Sequence, residues 1–156
     1  MAKEGLLNEE TWIHKDAIPK SMMEARQRMN VAKQKALKNS TNLFVSKTRL
    51  HIRNLPRREF YEPELKELMR VVADEWGKTL SEQAQKDHYK NKKLLSQLKV
   101  MKDDQKTDQV GESLASGQAF VEFRNADLAL FAVRYLNNLE IAGKNRGLIV
   151  DFSMED

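Results

Sequence analysis

Apolar and polar residues alternate along two separated stretches of the chain, and that alternation predicts two paired strands. In Leu50-His51-Ile52-Arg53, Leu50 and Ile52 point to one face and His51 and Arg53 to the other. In Ser116-Gly117-Gln118-Ala119-Phe120-Val121-Glu122-Phe123 the same count sends Ala119, Val121 and Phe123 into a core and leaves Gln118, Phe120 and Glu122 on an open face. A slip of one residue would bury Arg53 and Glu122, so the register is strongly specified. Two shorter strands are expected, around Leu98–Met101 and over Leu148–Phe152.

Helical spacing fills the intervals. Leu65, Leu68, Met69, Val72 and Trp76 fall on one face after Pro63, which suits a first helical turn, and Gly77 is a plausible stop. Asn125 is placed to cap a second helix whose Leu128, Phe131, Ala132, Tyr135 and Leu136 point inward. An insertion over about residues 78–95 is a polar helical extension, and Asp103 to Ala115, without apolar period, is expected to be a mobile loop. Strand, helix, strand, strand, helix, strand is a split β-α-β arrangement of α+β class.

The first 47 residues stand apart. Ser21 and Glu24 match a capping box, which starts a helix running to about Lys38. Met22, Met29, Ala32 and Ala36 give that helix only a thin apolar stripe, too weak to hold it against water without a partner surface. The expectation is a basic arm, mobile in the free protein and helical when docked on a partner. Trp12 and Ile13 have the look of an anchor for a pocket.

Charge sharpens that division. The chain carries 27 Lys/Arg against 23 Asp/Glu, and the whole excess lies before Arg49. Between Lys20 and Lys47, seven basic residues accompany the single acid Glu24. Such a segment is suited to phosphates, with affinity that falls as salt rises. Arg26, Arg28, Lys33, Lys35 and Lys38 of the arm, with Lys90, Lys92 and Lys93 of the insertion, are the candidate phosphate contacts.

Candidate chemistry narrows further. With no cysteine there is no disulfide framework, thiol nucleophile or thiolate metal site, which fits a reducing compartment. His14, His51 and His88 are too scattered for a metal-ligand set. Gly77-Lys78-Thr79 resembles the end of a phosphate-binding loop, but Val72 stands where its first glycine is required and a helix precedes it. The carboxylate pairs Asp103-Asp104 and Glu155-Asp156 lie where nothing desolvates them. No catalytic constellation is found, and no cofactor, metal, membrane or small-molecule substrate is expected.

The order Arg49-Leu50-His51-Ile52-Arg53-Asn54-Leu55-Pro56 and then the Phe120 strand resembles the RNA-recognition-motif (RRM) family over residues 48–154. The resemblance implies a ferredoxin-like fold: a four-stranded antiparallel sheet, order four-one-three-two, backed by two helices. It also implies that His51 and Phe120 occupy the stacking positions and Gln118 a third without a ring. Arg53, Met101, Ile149 and Asp151 would complete the RNA-binding face. Within that family, Phe44-Val45-Ser46-Lys47-Thr48-Arg49-Leu50, Val100-Met101-Lys102-Asp103 and the closing Val150–Asp156 string are similar to a late RRM of the multi-RRM nucleolar proteins that assemble the large ribosomal subunit. Ala2-Lys3-Glu4-Gly5-Leu6-Leu7 resembles the linker after a preceding RRM, so the chain reads as an excerpt of a longer protein. The implied function is non-catalytic binding of precursor rRNA in the nucleolus of the nucleus, beside ribosomal and assembly-factor proteins. The rival implication is a protein-interaction RRM that holds a peptide or protein without RNA readout.

Overall fold

The structure, a computed structural model, describes residues 5–7, 9–14, 18–40, 42–57, 60–90, 94–107, 113–141 and 147–155. A short 3-10 turn at Glu9–Thr11 precedes helix α1 (Lys20–Asn39), strand β1 (Phe44–Arg53), helices α2 (Glu62–Lys78) and α3 (Glu82–Lys90), strands β2 (Leu95–Thr107) and β3 (Ser113–Phe123), helix α4 (Ala126–Leu136) and strand β4 (Ile149–Glu155). The strands form one antiparallel sheet in the order β2-β3-β1-β4, the order that the family resemblance implies. His51 pairs with Phe120 and with Asp151, and Lys99 pairs with Phe120. The expected register is the observed one.

Leu50, Ile52, Ala119, Val121, Phe123, Leu128 and Val150 are fully or nearly fully buried in one core with α2 and α4, and Phe131 packs at its margin. The two helices begin as the sequence requires. Asn125 Oδ1 accepts from the backbone N–H groups of Asp127 (2.8 Å) and Leu128 (3.3 Å), satisfying donors that a helix start leaves orphaned. Glu64 accepts from the Tyr61 backbone N–H at the start of α2. The insertion forms α3, which folds back so that His88 meets the Ala73 carbonyl at 3.1 Å and stands edge-on to Trp76.

Several expectations are corrected. The chain does not divide at residue 47, because β1 begins at Phe44 and pairs there with Glu155. The stretch from Asp103 to Ala115 is not a loop throughout: β2 continues to Thr107 and β3 starts at Ser113, with Asp103 opposite Leu114 and Thr107 opposite Ser113. Backbone pairing between two strands requires no apolar face, so periodicity gave no sign of it. Residues 108–112 lie outside the described residues.

The largest correction concerns α1. Ser21 does not cap it. Pro19, at φ −56° and ψ 143°, already has the extended geometry of an N-cap, and its carbonyl accepts from the N–H groups of Met22 and Met23. The helix therefore starts two residues earlier and leaves Ser21 exposed inside the first turn. Nor does α1 await a foreign surface, for it lies on the face of the domain's own sheet. Met22 and Leu6 bury against Ile149 of β4, with Leu7, Ile18 and Met29 packed around them. Gly5 makes the crossing feasible: a Cβ there would sit 2.2 Å from the Val150 carbonyl oxygen and 2.6 Å from the Asp151 Cα. Only a residue without a side chain lets the backbone pass so close.

Candidate nucleic-acid interface

The face of the sheet opposite α2 and α4 is divided in two. On its β4 side every residue from Ile149 to Ser153 is buried, although a strand with one face open would alternate. The docked arm covers the second face. On the β1–β3 side alternation persists, with Leu50 and Ile52 buried and their neighbours partly exposed.

The covered half is held by cations. Arg26 is fully buried. Its guanidinium donates to the carbonyls of Gly5 (3.2 Å) and Leu148 (2.9 Å) and to Asn137 Oδ1 (2.8 Å). It also stacks over the Trp12 ring at 4.3 Å. Burial lowers its pKa to about 10, opposed by the charges of Glu9 and Asp151, so it stays charged at neutral pH. Asn137, just past α4, also accepts from the Val150 N–H and donates to the Val150 and Val133 carbonyls. It ties α4, β4 and the arm together. One and two turns on from Arg26 in α1, Asn30 and Lys33 follow on the same buried side. Lys33 Nζ lies 2.6 Å from Asp151 Oδ2, both groups nearly inaccessible. Burial pushes the Asp151 carboxyl upward against the pull of Lys33 and of its own contact with the Phe152 N–H.

Four expected RNA contacts are thereby corrected. Arg26 and Lys33 are spent on the protein's own carbonyls and carboxylate, and Ile149 and Asp151 lie beneath α1 rather than on an open face. Arg28, Lys35 and Lys38 remain exposed on the outer side of the helix. Trp12 has found its pocket within the same chain, while Ile13 stays half exposed. The Lys90 side chain and all of Lys92 and Lys93 lie outside the described residues.

The open half keeps the stack. The rings of His51 and Phe120 lie 4.5 Å apart and nearly parallel, at 21°. The Arg49 guanidinium stands 5.0 Å from the Phe120 ring centre, and Lys99 is exposed beside Phe120 on β2. His51 Nε2 meets Gln118 Oε1 at 2.8 Å. Since an amide oxygen only accepts, the imidazole donates there and keeps Nδ1 as an acceptor. Desolvation, then the charge of Arg53, push the His51 pKa down to about 4 against the opposing Gln118 bond. The ring is neutral at physiological pH. Met101 is half-buried on β2, two positions beyond Lys99. Arg49 and Lys99 were not among the expected contacts. Arg49 was legible from its spacing of two before His51, but Lys99 needed the β2–β3 register.

Neutral stacked rings flanked by cations suit the π-faces of unpaired bases together with their phosphates. Among the described residues no group of His, Asp and Glu is arranged to hold a metal ion, and no helix is long and apolar enough to cross a membrane.

Topology, strand order and stacking positions together define the RNA-recognition-motif fold. Over 157 aligned residues the sequence is 33% identical to RNA-binding protein 28 of Homo sapiens, a match covering 100% of this chain and 18% of that protein. The chain thus spans less than a fifth of that relative. No protein-family model matches the sequence. Among solved structures, the Rna15 RRM is 24% identical with a TM-score of 0.45, covering 70% of this chain and 92% of that one. The Sex-lethal RNA recognition domains 1 and 2 of Drosophila melanogaster are 21% identical with a TM-score of 0.45, covering 68% of this chain and 49% of theirs.

Proposed function

We propose that this chain is a non-catalytic RNA-binding module of a longer protein, gripping single-stranded segments of precursor rRNA during large-subunit assembly in the nucleolus. The observation that carries RNA binding is the neutral His51–Phe120 stack, left open beside Arg49, Arg53 and Lys99. The assembly role draws on the sequence likeness of the β1 and β4 strings to nucleolar RRMs. The alignment of the whole of this chain with part of a protein named for RNA binding supports the RNA-binding half of the reading. With one true aromatic and one imidazole on the platform, grip on free RNA is modest, because stacking contributes about 1–3 kcal/mol per base. Neighbouring ribosomal and assembly-factor proteins supply the rest.

The rival reading, a module that binds protein, has one observation in its favour: half of the sheet face already holds a helix, its own α1. Salt separates the two. Phosphate-led binding weakens steeply as ionic strength rises, whereas an apolar peptide contact does not. Crosslinking in cells followed by sequencing of the attached RNA tests the assignment, with Phe120→Ala as the control. Precursor rRNA lost from the variant supports it, and crosslinks indifferent to Phe120 overturn it.

A further inference from the structure

Where α1 crosses the sheet it leaves a groove of about 360 Å³, within the range of small-molecule sites. His51 and Arg53 of β1 line it on the sheet side, and Met29, Ala32 and Ala36 of α1 with Met154 of β4 supply apolar walls. The groove adjoins the His51–Phe120 stack, so a strand crossing the stack is positioned to place its next base there.

Arg53 is the unspent group in this groove. It is partly desolvated, with Asp151 as its opposing charge. Yet Asp151 is already engaged by Lys33 and the Phe152 N–H, and among the described residues no hydrogen bond or ion pair holds the Arg53 guanidinium. With no protein acceptor among the described residues, the fork of five N–H donors is left to solvent and can take the acceptors of a ligand. The groove's methionine and alanine walls favour an apolar ring face over a phosphate, whose hydration would be lost against them and whose charge would meet the Asp151 carboxylate that also lines the groove. Of the purines, guanine alone presents two adjacent acceptors, O6 and N7, matching an arginine fork. Adenine sets an amine beside N7, opposing a donor with a donor; unpaired cytosine offers the adjacent acceptors O2 and N3, but its single ring covers less of the Met29, Ala32 and Ala36 walls than a purine does.

We propose that the groove between α1 and β1–β4 is a guanine-selective subsite in which Arg53 reads the acceptor edge of one base while the helix walls its faces. This rests on the RNA-binding function proposed above.

The test is equilibrium binding of the folded chain to short single-stranded RNAs of about eight nucleotides, a length within the usual site size. The strands are all-uridine, or carry one central guanine, adenine or cytosine. The guanine strand should bind about tenfold tighter than the uridine and adenine strands, the scale of one bidentate contact, and tighter than the cytosine strand. Arg53→Lys keeps the charge and removes the fork, and Ala36→Leu fills the groove from the helix without changing charge. Each should bring the guanine-to-uridine ratio towards one while an unchanged thermal midpoint certifies the fold. Equal affinities in the parent chain, or a guanine preference surviving both variants, overturn the subsite and leave RNA binding standing, provided Phe120→Ala weakens the all-uridine strand. Failure of every strand to bind overturns the proposed function itself.

Discussion

The two halves of one sheet face use the same residue types for opposite ends. On the β4 side Arg26 and Lys33 are buried, both terminal nitrogens of the Arg26 guanidinium and the Lys33 ammonium engaged by backbone carbonyls, Asn137 and Asp151. On the β1–β3 side Arg49 leans over a ring and Arg53 faces a groove without a partner. A lysine or arginine in a sequence is thus no evidence of a phosphate contact. What decides is whether the fold offers acceptors nearer than solvent does.

The sharpest way to break this comparison is Arg26→Ala. It strips three acceptors of their charged donor and leaves a hole against Trp12. Since hydrogen bonds to charged groups contribute about 1.5–3 kcal/mol each, a loss of at least ~3 kcal/mol of arm docking is expected. Amide exchange between Met22 and Lys38 should rise sharply while the β1 and β3 amides stay protected. Uniform loss across the domain would mean that the arm and the sheet form one cooperative unit.

Lys33→Met should come next, at about 3 kcal/mol, because it strands a buried carboxylate. Adding Asp151→Leu should recover most of that cost by denaturant melting, as paired apolar replacement often does. If the double variant is as unstable as the single, the pair is not a closed unit. On the open half, Phe120→Ala should weaken RNA binding by ~1–3 kcal/mol and change stability less than either arm variant.

Smaller still is the pH response of His51. Its folded pKa of about 4 lies below the ordinary 6.5, so the neutral form is favoured by folding. The stabilisation it brings is complete above about pH 6.5 and is lost as pH falls through 6.5 towards 4. The imidazole signals followed by NMR should titrate near 4, and Gln118→Leu, which removes the opposing bond, should lower the midpoint further. The least effect is expected from Lys35→Ala or Lys38→Ala on the outer face of α1. Either should soften the salt dependence of RNA binding by less than one phosphate contact and leave stability unchanged.

Most of the sheet was legible because period-two alternation fixes both strand and register, as in Leu50–Arg53 and Ala119–Phe123. The stack was legible for the same reason. The seat of α1 was not. Its buried stripe, Met22, Arg26, Asn30 and Lys33, has the right helical spacing but is mostly polar, so a search for apolar periodicity saw only a thin seam. The acceptors that make those polar residues fit, the carbonyls of Gly5 and Leu148 and the side chains of Asn137 and Asp151, lie mostly more than a hundred positions away and carry no local signal. Gly5 was legible only in hindsight, as the place where the chain must pass without a side chain.

That same distance sets an order of events. Arg26 is 111 residues from Asn137 and 122 from Leu148, and Lys33 is 118 from Asp151. A chain emerging from the ribosome at about 5–20 residues per second exposes α1 several seconds before its seat exists. During that interval its cations are free, solvated and available to any polyanion nearby. Closure of the arm is therefore a late event that waits on the final strand, and a chain cut short before β4 would keep those cations free.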